Sequence, residues 1–103
     1  MFKRQPNPSF KVDVEITKPG QKIPDVIEFE FKQFTRKKYF EFFEEQAGKQ
    51  DVETLPLLVL GWSKIDVPYS AEELACLLDD YPSAAQAIFQ KFRDEHFEAR
   101  RKN

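Results

Sequence analysis

Two stretches that alternate strictly between apolar and polar residues constrain this chain more than anything else in it. In "FKVDVEIT", Phe10, Val12, Val14 and Ile16 fall on one side, and Lys11, Asp13, Glu15 and Thr17 on the other. In "VIEFEFKQF", Ile27, Phe29 and Phe31 share a side, opposite Glu28, Glu30 and Lys32. A period of two marks a strand with one wet face. Between them "KPGQKIPD" carries two prolines and a glycine, which reads as a loop. The pattern predicts antiparallel strands over about 10–17 and 26–34, after an irregular lead-in at 1–9. Two strands alone are marginal in water, so helices must cover their apolar face.

The remainder supplies those helices. Thr35 is an N-cap for a helix over about 36–47, with Tyr39, Phe40, Phe43 and Ala47 at helical spacing and Gly48 as the stop. Arg36, Lys37 and Lys38 occupy its first turn, where the helix dipole disfavours cations; either they serve as a basic contact patch, or Glu30 and nearby acids compensate, the expected case. Pro56 at a first helical position predicts a short helix over about 55–60, buried on most sides and ended by Gly61. Ser70 and Glu73 form a capping box, with Tyr69 and Leu74 as its hydrophobic staple. They start a helix over about 71–81 that carries Leu74, Leu77 and Leu78 on one face. Pro82 ends it and opens a last helix over about 82–100, with Ala85, Ile88, Phe89, Phe92 and Phe97 at helical spacing and Arg100, Arg101 and Lys102 at its end. Trp62 then reads as a structural anchor that wedges the link between two helices onto the core, its indole N–H finding an acceptor. The class is α+β: an N-terminal hairpin packed against about four helices in one small domain over 10–103.

Little here points to chemistry. Cys76 lies beside Leu77 and reads as a buried structural thiol. The single His96 sits among Asp94, Glu95 and Glu98, without paired metal-ligand spacing. Acidic pairs such as Glu72–Glu73 diverge by about 100° on a helix and do not converge on one substrate. Three glycines make no phosphate-cradling loop. No catalytic residue, metal site or cofactor is expected, and the chain does not read as an enzyme. A net charge of -2 and the acids following Lys38 argue against nucleic acid. No apolar run approaches the roughly 20 residues of a membrane span. The lone cysteine and the absence of a signal-peptide pattern at the N-terminus read as an intracellular protein.

Eleven phenylalanines exceed what surface positions need. They build a core, or some of them stay open to a partner. The last helix is the expected partner surface, through Phe89, Phe92, Arg93 and Phe97, because a terminal amphipathic helix most easily leaves one face open.

The block from Leu57 to Phe92 resembles the tail assembly chaperones of long-tailed bacteriophages. The resemblance rests on Gly61-Trp62, Val67-Pro68-Tyr69-Ser70, then Leu74, Leu77 and Leu78, and Tyr81-Pro82 before the last helix. These residues pack and cap; none is chemical. The resemblance implies a non-enzymatic assembly factor from a phage or prophage, made in the bacterial host cytoplasm and absent from the finished virion. It implies the apolar tape-measure protein as client, help in recruiting tail-tube proteins, and self-association along the client. Surplus Phe on the first and last helices would supply the groove for such a client. The competing readings are a generic protein-interaction domain, such as a small regulator, and a nucleic-acid-binding module.

Overall fold

The computed structural model describes residues 1–98. The expected helix end at Arg100, Arg101 and Lys102 lies outside them. Two strands form where the alternation places them: β1 (Ser9–Ile16) and β2 (Asp25–Lys32), antiparallel, with Val12 opposite Phe29 and Val14 opposite Ile27. Their connection turns on Pro19-Gly20. Pro19 presets the first central position of the turn, and Gly20 takes φ +80°, which only glycine adopts without strain. Gln21 N–H closes it onto the Lys18 carbonyl at 3.2 Å, and a Lys18–Asp25 ion pair ties the strand ends together.

The third apolar block departs from expectation. Instead of one helix over 55–60, the chain makes α2 (Asp51–Thr54), a 3-10 turn at Leu55–Leu57, and then a strand, β3 (Val59–Ser63). β3 pairs antiparallel with β2, completing a three-stranded sheet in the order β1-β2-β3. Gly61 therefore does not stop a helix; it sits mid-strand opposite Glu30. The ladder is entered early, since Lys32 N–H donates to the Leu58 carbonyl at 2.9 Å. Phe31 faces Val59 while Glu30 faces Gly61, so Leu60 is an extra residue pushed out as a β-bulge. That corrects the expectation that this block is buried on most sides: Leu60 is 47% exposed and Leu57 45%.

The helices follow the sequence pattern more closely. α1 (Arg36–Glu45) begins at Thr35, whose Oγ1 accepts from Lys38 N–H at 3.2 Å. Past its end, Gly48 takes φ +84°, the left-handed conformation used to leave a helix. α3 (Ala71–Asp80) begins at Ser70, whose Oγ accepts from Glu73 N–H at 3.0 Å. The Glu73 carboxylate does not return the bond, so this is half a capping box. Glu53 makes that return bond at the start of α2, taking Gln50 N–H at 2.9 Å. α4 (Ala84–Phe97) starts two residues after Pro82, and Ser83 Oγ donates to the Thr17 carbonyl at 3.0 Å, tying the helix start to the end of β1.

One face of the sheet is apolar and covered: Val14, Ile16, Ile27, Phe29, Phe31 and Val59 join Leu55, Leu58, Leu74, Leu77, Ile88 and Phe92 in a single core. The other face is polar. Lys64 reaches across it to the Asp13 carboxylate at 2.9 Å, and Ser63 bonds Glu28 at 3.0 Å. Glu30 takes the Ser9 hydroxyl at 2.8 Å instead of compensating Arg36, Lys37 and Lys38; no ion pair to those three cations forms among the described residues. Cys76 is exposed on α3, not buried, because the core face of that helix is taken by Leu74 and Leu77.

Candidate functional site

α4 carries two neighbouring stripes, each stepping by four residues. Ala84, Ile88, Phe92 and His96 face inward; Ala85, Phe89, Arg93 and Phe97 lie about 100° round the helix. The expected partner surface combined both, and the structure separates them. Phe92 has no exposed area and sits at the centre of an aromatic cluster. Its ring lies 5.3 Å from Phe31, 5.8 Å from Tyr39 and 4.4 Å from His96, centroid to centroid. It is a core residue, with no surface left for a partner. Phe89 and Arg93 line an open groove, and Phe97 is 44% exposed at its end.

The groove, of about 430 Å³, runs between α1 and α4. Phe43 and Phe89 form its floor, 6.2 Å apart, and Tyr39 lies behind Phe43 at 4.7 Å. Burial pushes the Tyr39 hydroxyl above its ordinary pKa, the nearby Arg93 charge opposing the shift only in part. Gln46, Lys49, Gln86 and Gln90 make a polar rim. Sequence spacing does not reveal these rim residues, because α1 and α4 meet only in three dimensions and polar glutamines on a solvent face carry no periodic signal. Where α1 begins and α4 ends, Phe40 (53% exposed) and Phe97 stand against each other at 5.6 Å, with the Arg36 guanidinium 5.8 Å over Phe40. Two half-exposed phenylalanines in contact form an apolar patch continuous with an aromatic groove, the surface chemistry of protein–protein contact.

His96 is locked beneath this patch. Its Nε2 accepts from Phe34 N–H at 3.0 Å, and its Nδ1 bonds the Phe92 carbonyl at 2.8 Å. One acceptor and one donor specify a neutral ring protonated on Nδ1. Both nitrogens are thereby engaged within the fold, and no cluster of metal-ligating side chains occurs among the described residues.

The other singled-out residues cluster at β3 and the link that follows it. The Trp62 indole N–H donates to the Val67 carbonyl at 2.8 Å, and its ring meets Tyr69 edge-on at 5.1 Å and Phe29 at 6.1 Å. Tyr69 Oη donates to the Val59 carbonyl at 3.4 Å, and Leu74 is fully buried. Trp62 thus sits on the edge strand of the sheet and holds the following link against it, rather than bridging two helices.

A small α+β domain with an aromatic groove and an adjoining apolar patch fits a protein-binding role. A family model described as "Phage tail assembly chaperone" matches residues 1–103. The chain belongs to the phage tail assembly chaperone family. Neither the search of curated proteins nor that of solved structures returned a match. Family membership gives the chaperone a role in tail assembly and partners that are proteins. No helix among its described residues is long and apolar enough to cross a membrane.

Proposed function

We propose that this chaperone holds a helical, apolar segment of the tape-measure protein in the groove between α1 and α4. By keeping that client dispersed, it assists the recruitment of tail-tube subunits, and copies of it line up along the client. It acts without catalysis in the cytoplasm of the bacterial host and is absent from the mature virion. The supporting observation is the aromatic surface itself: Phe40 and Phe97 stay exposed in contact with each other although the same chain buries Phe29, Phe31 and Phe92 completely. Leaving such area in water is unfavourable by about 25 cal/mol per Å², and an amphipathic client helix would remove it.

Co-expression with the tape-measure protein tests the reading. The client should be soluble with the wild-type chaperone and insoluble with a Phe40→Ser, Phe97→Ser double variant that keeps the wild-type circular dichroism spectrum. A client equally insoluble with and without the chaperone sinks the proposal. A double variant that solubilises as well as wild type moves the client to another surface.

A further inference from the structure

The groove has two electrically different ends. The outer stripe of α4, from Ala85 to Phe97, rises about 18 Å, the length of roughly three turns of a helix lying alongside. Past Phe89 the stripe continues into a second hollow of about 370 Å³ between α2 and the α3–α4 turn, which shares Asp51 with the groove. Val52, Leu78, Pro82 and Ala85 line it; its charged residues are Asp51 and Asp79, with Lys49 on the groove side of Asp51 as the one nearby cation among the lining residues of the two hollows at this end. At the opposite end stand Arg36, Lys37 and Lys38, in the first turn of α1 and without an ion pair among the described residues. Arg93, nearby, is engaged by Asp94 and Glu98 at 3.9 and 3.5 Å. Glu41 follows Lys37 by four residues and Lys38 by three, next to that turn on the helix surface, whereas Glu44 and Glu45 lie at the far end of α1. Arg36 is engaged over the Phe40 ring, but Lys37 and Lys38 oppose the dipole of their own helix with no ion pair among the described residues.

We infer that the groove accepts an amphipathic helix in one direction only: a basic N-terminal turn over Asp51 and Asp79, and an acidic C-terminal turn at Arg36, Lys37 and Lys38. This deepens the client-binding reading and rests on it. The dipole of the docked helix adds to the selection, since its positive end then meets carboxylates and its negative end meets cations.

Cys76, the only cysteine, is exposed on α3 beside the acidic hollow and takes a nitroxide label. Two synthetic peptides of about 14 residues share one Leu/Ala stripe. The first carries Lys in its first turn and Glu in its last; the second has these exchanged. In isolation the second is the better helix, so intrinsic helicity works against the expected result. Titrated into the full labelled chain at about 0.05 M salt, the first peptide should bind about tenfold tighter, and the preference should shrink at about 1 M salt. The nitroxide should broaden resonances at its N-terminal end and spare the C-terminal end. In the Arg36→Glu, Lys37→Glu, Lys38→Glu variant, whose new acids suit the helix N-terminus, the preference should vanish. Equal affinities, tighter binding of the second peptide, or broadening at the C-terminal end overturns the direction. Binding of neither peptide, with the tape-measure protein still kept soluble in co-expression, overturns the groove as the client site while client binding itself stands.

Discussion

Phe92 and Phe97 lie five residues apart on one helix, yet the structure assigns them opposite duties. Phe92→Ala removes a side chain with no exposed area, ringed by Phe10, Phe31, Phe34, Tyr39, Phe43 and His96. Truncating a fully buried Phe costs about 3–5 kcal/mol, against a total stability of about 5–15 kcal/mol for a domain. Phe97 is 44% exposed, so a little over half of its apolar area is at stake. Scaling the roughly 1.5–3 kcal/mol of full burial gives about 1–2 kcal/mol for Phe97→Ala. Urea unfolding followed by Trp62 fluorescence reads both, because the lone indole is packed against Phe29 and Tyr69 and changes environment on unfolding. With a slope of about 1–3 kcal/mol per M, Phe92→Ala should lower the midpoint by at least about 1 M, and Phe97→Ala by clearly less. Equal losses would refute the assignment of α4 into an inner and an outer stripe.

Three further outcomes follow from single contacts. Burial raises the Tyr39 hydroxyl pKa, so its contribution is fully present below about pH 10 and is lost as pH rises through the folded-state value. Tyr39→Phe should therefore lose less stability between about pH 8 and 11 than wild type; identical urea midpoints across that range would contradict it. His96→Leu leaves Phe34 N–H without its acceptor and should cost about 1–3 kcal/mol in thermal or urea unfolding, whereas a neutral result would mean that water replaces the imidazole. Ser70→Ala removes the cap of α3 and should cost about 1 kcal/mol; Ser70→Asp, which restores an acceptor, should recover most of it.

The legible parts of the sequence were those whose signal is local. Alternation fixed both faces of β1 and β2, because residues two apart share a side whatever lies elsewhere in the chain. Thr35 and Ser70 announced their helices because a cap acts within three residues. β3 was hidden for a related reason. "LLVLGW" is continuously apolar, and such a run has no period to separate strand from buried helix. The bulge at Leu60 then breaks what alternation a strand would have shown. On α4 the spacing identifies an amphipathic helix but not which of two adjacent stripes the sheet claims, so it does not separate Phe92 from Phe89, Arg93 and Phe97. The groove rim and the engagement of His96 by Phe34, 62 residues earlier, depend on long-range packing that no window along the chain contains.

The sheet is complete by Ser63, but its cover is not. Phe10 and Phe31 are shielded by Phe92, and the β2–α1 link is held by His96, both from the last helix. During synthesis the N-terminal portion therefore emerges first with a strongly aromatic, uncovered sheet face, the kind of exposed intermediate that aggregates or is degraded. Closing it requires α4 to pack back onto β1 and β2, contacts of large sequence separation of the kind that slow folding. A tail assembly chaperone is thus itself, until α4 docks, a chain in need of protection.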